Sequence, residues 1–251
     1  MGDQLAYLLL QVRNREDPMR GQEVGCFARA LGCGRDRIRV FDLLGKTDGA
    51  HIPTARDLAG ADVVLLGGSG DYSVAEGGDW LEPALDVMRT LVESSKPTFA
   101  SCWGFQAMAR ALGGEVVRDM SRAELGTIEI DLTAGGREDP VFGPLAPGFV
   151  APMGHQDIVD RLPEGAVLLA STSRVKNQAF CFAGKPIYCT QFHPELDRQS
   201  LIERVEAYPR YVHEILGQSI PQFADGCRDT PECRSLLPAF IEHAFGPSAG
   251  A

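Results

Sequence analysis

The residue with the clearest chemical potential in this 251-residue chain is Cys102. The stretch from Thr98 to Leu112 has the pattern of a short buried strand, a sharp turn and then a helix. Small residues two positions before and after the cysteine, Ala100 and Gly104, let the backbone pass closely through such a turn. At a helix N-terminus, free N–H groups and the helix dipole favour the thiolate over the thiol. The pattern therefore predicts a nucleophile elbow with cysteine as the nucleophile.

A nucleophilic cysteine needs a base, and His193-Pro194-Glu195 supplies the candidate. Proline ends the preceding strand and holds His193 in an extended conformation. Residues two apart in an extended segment point to the same side, so Glu195 can orient the imidazole. A lone buried cysteine is more often a small hydrophobic residue. The two motifs together predict a catalytic triad of Cys102, His193 and Glu195.

The proposed nucleophile also needs an oxyanion hole with two N–H donors. The amide of Trp103, the residue after the cysteine, is one candidate. The second candidate is the amide of Gly68, in a glycine-rich loop over residues 67–74 that follows a predicted strand. A phosphate cradle is an alternative interpretation, but the loop has neither a Gly-Lys-Ser/Thr end nor Gly-x-Gly-x-x-Gly spacing. A plain turn built on the freedom of glycine is the other alternative.

Predicted strands and helices alternate in the first half of the chain. Apolar runs predict strands at 5–12, 38–43 and 62–66, and apolar residues at helical spacing predict helices at 22–31 and 80–94. Such alternation implies right-handed crossovers and a parallel sheet that binds ligands at the C-terminal ends of its strands. The elbow and the glycine-rich loop both lie at that edge.

The second half of the chain is richer in short strand candidates, separated by Gly, Pro and polar turns. They lie at 115–117, 126–132, 149–151, 167–171, 178–182 and 187–191. We expect a β-rich continuation with some antiparallel pairing. The tail predicts helices at 201–213 and from Thr230, which is followed by a proline in the first turn. These helices are expected to pack on the domain, with partner binding as the alternative.

Composition excludes several classes of protein. A net charge of −10 and a pI near 5.0 argue against non-specific nucleic-acid binding. No apolar run approaches the length of about 18 residues that a membrane span requires. The N-terminus lacks the pattern of a signal peptide, so the expected location is cytoplasmic. Seven cysteines, an odd number, suit reduced thiols, and no cluster has zinc-ligand spacing. We expect no metal and no cofactor.

With these motifs in place, the chain resembles the class I, triad-type glutamine amidotransferases, and most closely the glutaminase domain of GMP synthetase, over roughly residues 5–197. Ala-Ser-Cys-Trp-Gly-Phe-Gln, at 100–106, matches the Gly-x-Cys-x-Gly-His-Gln of that family. Gln-Phe-His-Pro-Glu, at 191–195, matches its final motif without a change. Gly67-Gly68-Ser69 stands where the family has Gly-Gly-Pro, and residues 153–157 resemble its Met-Ser-His-Gly-Asp segment.

The resemblance implies a three-layer, Rossmann-like (flavodoxin-like) α/β fold with a mostly parallel central sheet and a β-rich second half. It places the amidotransferase domain at 1–197 and a C-terminal helical extension, packed on the same domain, at 198–251. It also implies that four further residues bind the substrate: Gln106, Gly67, His155 and Asp157.

The activity that the resemblance implies is hydrolysis of the glutamine side-chain amide through a γ-glutamyl thioester, with ammonia released for a partner synthase. Phe105 departs from the family histidine and is expected beside the substrate pocket, where it can change substrate preference. The ATP-pyrophosphatase loop of GMP synthetase, Ser-Gly-Gly-x-Asp-Ser, has no counterpart here, so the resemblance is to stand-alone members. Two alternatives remain: a γ-glutamyl peptidase or hydrolase that acts alone, and a catalytically silent regulatory or binding module.

Overall fold

A computed structural model describes residues 2–44 and 52–246 of the chain. Its first half contains β1 (Tyr7–Gln11), α1 (Met19–Leu31), β2 (Ile38–Asp42), α2 (Ala55–Ala59), β3 (Val63–Leu66), α3 (Leu81–Glu93), β4 (Thr98–Ser101) and α4 (Trp103–Ala111). The second half continues with β5 (Glu115–Arg118), β6 (Glu124–Leu132), α5 (Ala134–Glu138), β7 (Phe149–His155), β8 (Asp157–Arg161), β9 (Ala166–Ser171), β10 (Ala179–Phe182) and β11 (Ile187–Thr190). The C-terminal part contains α6 (Arg198–Ala207), a π-helical turn (Val212–Leu216), α7 (Ile220–Gly226), α8 (Pro231–Arg234) and α9 (Leu236–Phe245).

The central sheet of the described chain has the strand order β2-β1-β3-β4-β11-β10-β9-β6-β7. Neighbours from β2 to β11 run parallel, and neighbours from β11 to β7 run antiparallel. Strands β5 and β8 form a separate antiparallel ribbon. The predicted α/β fold is confirmed, with a parallel first half and a β-rich, antiparallel second half.

Helices cover both faces of this sheet. Leu8 and Leu10 of β1 join a hydrophobic cluster with α3 and α4, whereas Tyr7 and Leu9 join a cluster with α1 and α9 on the opposite face. Because successive strand residues point to opposite faces, a strand buried on both sides is apolar throughout. Burial of each such leucine stabilises the fold by about 1.5–3 kcal/mol. The result is the predicted three-layer arrangement.

The C-terminal helices contribute to the same hydrophobic clusters as the rest of the chain. Residues of α6, the π-helical turn and α7 pack with Leu125 of β6. Phe240 of α9 packs against Phe99 of β4, with ring centroids 5.5 Å apart. The expected domain boundary after residue 197 stays a prediction. No helix in the described ranges is long and apolar enough to cross a bilayer.

The tail differs from the predicted helices. Helix α6 begins at Arg198, capped by the Asp197 carboxylate, which accepts the Ser200 N–H at 2.8 Å. It ends at Ala207 because Pro209 disfavours helical backbone at Tyr208, whose φ is −126° and ψ is 63°. The helix predicted from Thr230 is divided into α8 and α9. Helices α2, α5 and α7 and strand β8 had not been predicted.

Candidate active site

The turn between β4 and α4 holds Cys102 in a strained conformation. Its φ of 53° and ψ of −104° are unusual for a residue with a side chain. The Cys102 N–H donates to the carbonyl of Thr190 at 2.7 Å. A Cβ on Gly104 would lie 2.5 Å from Cβ of Leu66 and 3.2 Å from Cβ of Ala100. Only small residues fit there, as the elbow pattern predicted, and the strand–turn–helix form is the one expected.

His193 reaches this turn because β11 lies beside β4. Thr190 of β11 pairs with Ser101 of β4, so the residues that follow both strands share one edge of the sheet. His193 Nδ1 lies 2.6 Å from Glu195 Oε1, and His193 and Cys102 interact electrostatically and line the same cavity. The structure thus brings the three predicted triad residues together.

The electrostatics of these residues favour a charged pair. Burial alone would lower the pKa of His193, but the charges of Glu195 and then Cys102 raise it to about 9. Burial would likewise raise the pKa of Glu195, but the charge of His193 and, after it, that of Arg204 bring it below its usual value. At neutral pH these directions favour a protonated His193 beside an anionic Glu195.

The glycine-rich loop after β3 lies directly against the imidazole. A Cβ on Gly68 would be 3.2 Å from Cε1 of His193. The loop is tied to the elbow, because Gly104 N–H donates to the Gly67 carbonyl at 3.2 Å. The Trp103 amide is the first of α4 and has no intrahelical acceptor. The two N–H groups predicted for the oxyanion hole therefore belong to segments that meet at the nucleophile.

A cavity of about 310 Å³ opens above these groups. Its wall includes Cys102, His193, Gly68, Trp103 and three of the predicted substrate-binding residues, Gln106, His155 and Asp157. The fourth, Gly67, is not part of this wall. A Cβ on Gly67 would overlap the buried carboxylate of Glu23, so Gly67 faces the interior behind the loop.

The polar residues of the wall are held by one another. The Gln106 side-chain amide donates to the Asp157 carbonyl at 3.0 Å and to Gln191 Oε1 at 3.1 Å. The Asp157 carboxylate accepts from Ser73 Oγ at 2.7 Å and from Ala75 N–H at 3.0 Å. These contacts join the wall of the cavity to the end of the glycine-rich loop and to the residue directly after it.

His155 is enclosed by hydrogen-bond acceptors. Its Nε2 lies 3.2 Å from Glu124 Oε2, and its Nδ1 lies 3.1 Å from the Asp157 carbonyl oxygen. These two contacts fix the ring between the first residues of β6 and β8, and His155 is part of the cavity wall.

Arg13 is a cavity residue that the sequence interpretation missed. It is 1% exposed, and its guanidinium binds both oxygens of the Glu23 carboxylate, with Nη2 3.2 Å from Oε1 and Nε 3.3 Å from Oε2. Burial would lower the pKa of Arg13, but Glu23 more than offsets this and raises it. A charged residue directly after an apolar strand, at the ligand-binding edge of the sheet, was the signal that could have identified it.

A C-terminal segment also forms part of the wall. This strap, residues 208–216, contributes Tyr208, Arg210, Tyr211 and Glu214 to the cavity. Tyr211 donates its hydroxyl to the Gly70 carbonyl at 2.7 Å, and Arg210 Nη2 lies 2.6 Å from Asp71 Oδ1. At its far end, Gln156 Nε2 donates to Glu214 Oε2 at 3.2 Å. The strap thus bridges the cavity, and no local sequence pattern indicated this.

The prediction that Phe105 lies beside the substrate pocket is wrong. Its side chain is fully buried in the cluster between the sheet and α3 and α4. Its ring packs against Phe180 of β10, with centroids 5.2 Å apart, and it is not part of the cavity wall. Phenylalanine at this position adds apolar contact to the core instead of replacing a polar group in the pocket.

The chain is similar in sequence to known amide-hydrolysing proteins. The family model described as glutamine amidotransferase class-I matches residues 46–201. A GMP synthase (glutamine-hydrolyzing) of Leifsonia xyli subsp. xyli is 38% identical over 153 residues, which is 58% of this chain but 28% of that protein. Gamma-glutamyl peptidase 3 of Arabidopsis thaliana is 31% identical over 195 residues, which covers 76% of this chain and 75% of that protein.

A solved structure has the same fold. The crystal structure of a glutamine amidotransferase from Thermotoga maritima superposes with a TM-score of 0.71 at 19% identity, and the match covers 95% of this chain and 97% of the other. At this level of identity the likeness concerns the fold alone.

Proposed function

Because this chain belongs to the class I glutamine amidotransferases, a family of amide-hydrolysing enzymes, we propose that it hydrolyses the side-chain amide of glutamine through Cys102, His193 and Glu195. The observation that carries the proposal is that Cys102 and His193 line one cavity, with His193 Nδ1 2.6 Å from Glu195 Oε1. Glu195 occupies Nδ1 and so leaves Nε2 for proton transfer. This is the order of nucleophile, base and orienting carboxylate that acyl transfer requires.

In the proposed mechanism, the Cys102 thiolate attacks the carboxamide carbon and forms a tetrahedral intermediate. The N–H groups of Gly68 and Trp103 stabilise its oxyanion, each by about 2.7–4 kcal/mol. His193 protonates the departing nitrogen, which leaves as ammonia, and Cys102 is left as a γ-glutamyl thioester. His193 then takes a proton from water, whose oxygen attacks the thioester, and glutamate and the free thiolate are released.

The glutamyl part of the substrate is proposed to lie against Gln106, His155 and Asp157. The carboxylate of Asp157 and that of Glu124, which lies beside His155, already accept hydrogen bonds from protein donors. His155, fixed between Glu124 and the Asp157 carbonyl, contributes to the polar surface proposed to bind the glutamyl group. Gly67 acts indirectly, by fixing the loop that carries Gly68.

We further propose that the ammonia is passed to a partner synthase. This is supported by the similarity to a GMP synthase, which couples glutamine hydrolysis to a synthetic reaction according to its name. The chain spans 28% of that protein, so the synthetic step and the identity of the ammonia acceptor remain part of the proposal.

A second candidate is a γ-glutamyl peptidase that acts alone. The alignment with the Arabidopsis peptidase, which covers about three quarters of both chains, favours it. So does the extent of the cavity, which continues past the triad to Glu76, Arg118 and the strap. In this case the departing nitrogen belongs to an amino acid or peptide instead of ammonia.

The test is a panel of substrates given to the purified chain, with ammonia and free amine measured separately. Hydrolysis of glutamine supports the first candidate, and a strong preference for γ-glutamyl peptides supports the second. Cys102→Ala should abolish both activities, and full hydrolysis by this variant would overturn the proposed mechanism. Labelling with diazo-oxo-norleucine should modify Cys102 stoichiometrically, whereas a silent binding module would not react. Cys33→Ala, which removes another partly exposed thiol, is the matched control and should label normally.

A further inference from the structure

Arg204 of α6 lies beside the proposed triad, although it belongs to neither catalytic motif. Its Nη1 is 3.4 Å from His193 Nδ1 and 3.8 Å from Glu195 Oε1. The same nitrogen would be 3.8 Å from a Cβ on Gly68. Its side chain is 10% exposed. A buried cation therefore faces the base, the orienting carboxylate and the glycine-rich loop at once.

Glu195 is short of partners. Its Oε1 lies 2.6 Å from His193 Nδ1, but its Oε2 has no hydrogen-bond partner among the described residues. The Arg204 guanidinium also has a buried nitrogen, Nη2, without an acceptor in the described ranges. An uncompensated buried carboxylate is costly, so a nearby counter-charge has a large effect on its ionisation.

Two thiols that act on Glu195 are neutral. Cys26 of α1 and Cys233 of α8 both interact electrostatically with this carboxylate, and burial raises the pKa of each thiol. The cations acting on Glu195 within the described chain are His193 and Arg204. His193 changes charge during the reaction, whereas an arginine does not.

Arg13 is the other cation near this point, and its charge is already balanced. Its Nη2 would be 3.6 Å from a Cβ on Gly68, but the guanidinium is paired with Glu23 and with Asp17, whose Oδ2 lies 3.1 Å from Nη1. Among residues 2–44 and 52–246, Glu195 is the carboxylate that lies within 4 Å of the Arg204 guanidinium. Arg204 Nε donates to Gln22 Oε1 of α1 at 3.2 Å, which fixes the guanidinium from behind.

From this geometry, and resting on the proposed hydrolytic function, we infer that Arg204 is a positioning residue for the triad. It keeps Glu195 anionic and directed at Nδ1 of His193, so that the other imidazole nitrogen stays aimed at Cys102. It also supplies a permanent positive charge to the site throughout the catalytic cycle. Arg204 acts through Glu195 and His193, without contact to the reacting atoms.

The test is the pH dependence of kcat/KM for Arg204→Gln, with the best substrate of the panel. The two limbs of this profile report the successive ionisations of the Cys102–His193 pair in the free enzyme. Removal of a positive charge makes each proton harder to lose, so both limbs should move to higher pH, by about one unit. At pH values below the acidic limb, we therefore expect kcat/KM to fall about tenfold.

Two further variants distinguish the effect of the Arg204 charge from a general effect on the structure of α6. Arg204→Lys keeps the charge and should restore both limbs, with kcat/KM within about threefold of the wild type. Arg198→Gln is the control, because Arg198 belongs to the same helix. The Arg198 guanidinium donates to the carbonyls of Cys227 at 2.9 Å and Ala224 at 2.6 Å. Arg198→Gln should leave both limbs in place even if the melting temperature falls.

The proposal is overturned if Arg204→Gln slows hydrolysis while both limbs stay at wild-type pH, since a purely structural role would give that result. If Arg204→Gln does not fold, Arg204→Lys decides: wild-type limbs support the proposal, and a folded but tenfold slower enzyme overturns it. Failure of the proposed function is a separate outcome, recognised by full hydrolysis in Cys102→Ala.

Discussion

The position that a Cβ would take on Gly68 lies 3.2 Å from Cε1 of His193. The loop proposed to supply an oxyanion donor is therefore in direct contact with the proposed base. A Cβ–carbon contact at this distance is shorter than ordinary van der Waals separation. Glycine is required at position 68 because a larger side chain would collide with the imidazole, and not because of its backbone conformation.

Gly68→Ala should slow hydrolysis much more than it destabilises the fold. The added methyl group displaces either the imidazole or the loop, so the donor and the base no longer act on the same carbonyl. We expect kcat to fall by about 10²-fold, the cost of one lost oxyanion donor. Steady-state kinetics measure this effect, and Gly226→Ala, where nothing lies within 4 Å of the new methyl group, is the matched control. Retention of half the wild-type kcat by Gly68→Ala would contradict the proposed geometry.

The protonation of His193 should depend on both of its partners, and more strongly on Glu195. The charges of Glu195 and then Cys102 raise the pKa of His193 to about 9. Glu195→Gln should therefore lower this pKa more than Cys102→Ala does. Burial lowers the pKa of His193, and the lost Glu195 charge is the larger of the two charges that counteract it. A ¹⁵N NMR titration of the imidazole, assigned by its absence in His193→Asn, measures both shifts. The opposite order of the two shifts would show that Cys102 is the stronger partner.

The buried pair behind the glycine-rich loop should be important for stability. Glu23→Leu leaves the Arg13 guanidinium, which is 1% exposed, without its bidentate partner. Removal of one member of a buried ion pair costs about 3–5 kcal/mol, and we expect the lower end because Asp17 remains. Denaturant unfolding measures the change. In the exposed pair of Glu82 and Arg89, Glu82→Ala should cost less than about 1 kcal/mol, and equal costs at both sites would refute this assignment.

The strap should affect substrate binding more than chemistry. Burial raises the pKa of Tyr211, which keeps its hydroxyl protonated and able to donate to the Gly70 carbonyl at 2.7 Å. Tyr211→Phe removes this bond, whose net contribution is about 0.5–1.5 kcal/mol. We expect KM to rise about threefold with little change in kcat. An equal fall in kcat at unchanged KM would place the effect on the oxyanion loop instead.

Local sequence patterns were sufficient for the predicted triad. A cysteine between an apolar strand and a helix, and a histidine fixed by the following proline, depend on interactions within a few residues. What these patterns did not contain is the adjacency of β4 and β11, which is a long-range pairing. The resemblance of the two motifs to a known family supplied it.

The site residues that were not predicted, and the wrong placement of Phe105, have a different origin. Tyr211 reaches the site because Pro209 ends the tail helix early and the chain then crosses the cavity, which no periodic pattern encodes. Arg204 reaches it from α6 itself, through packing that local sequence does not reveal. Phe105 and Gln106 are neighbours in α4, but Phe105 packs in the core whereas Gln106 lines the cavity. Side-chain direction of this kind depends on packing against β10, which lies far away in sequence.

The position of β11 has a consequence for protein synthesis. It is the last strand of the central sheet to leave the ribosome, yet it is inserted between β4 and β10. Until it emerges, the nascent chain carries the cysteine but lacks both the histidine and the Thr190 carbonyl that accepts the Cys102 amide. We expect any product of premature termination before residue 187 to lack hydrolytic activity.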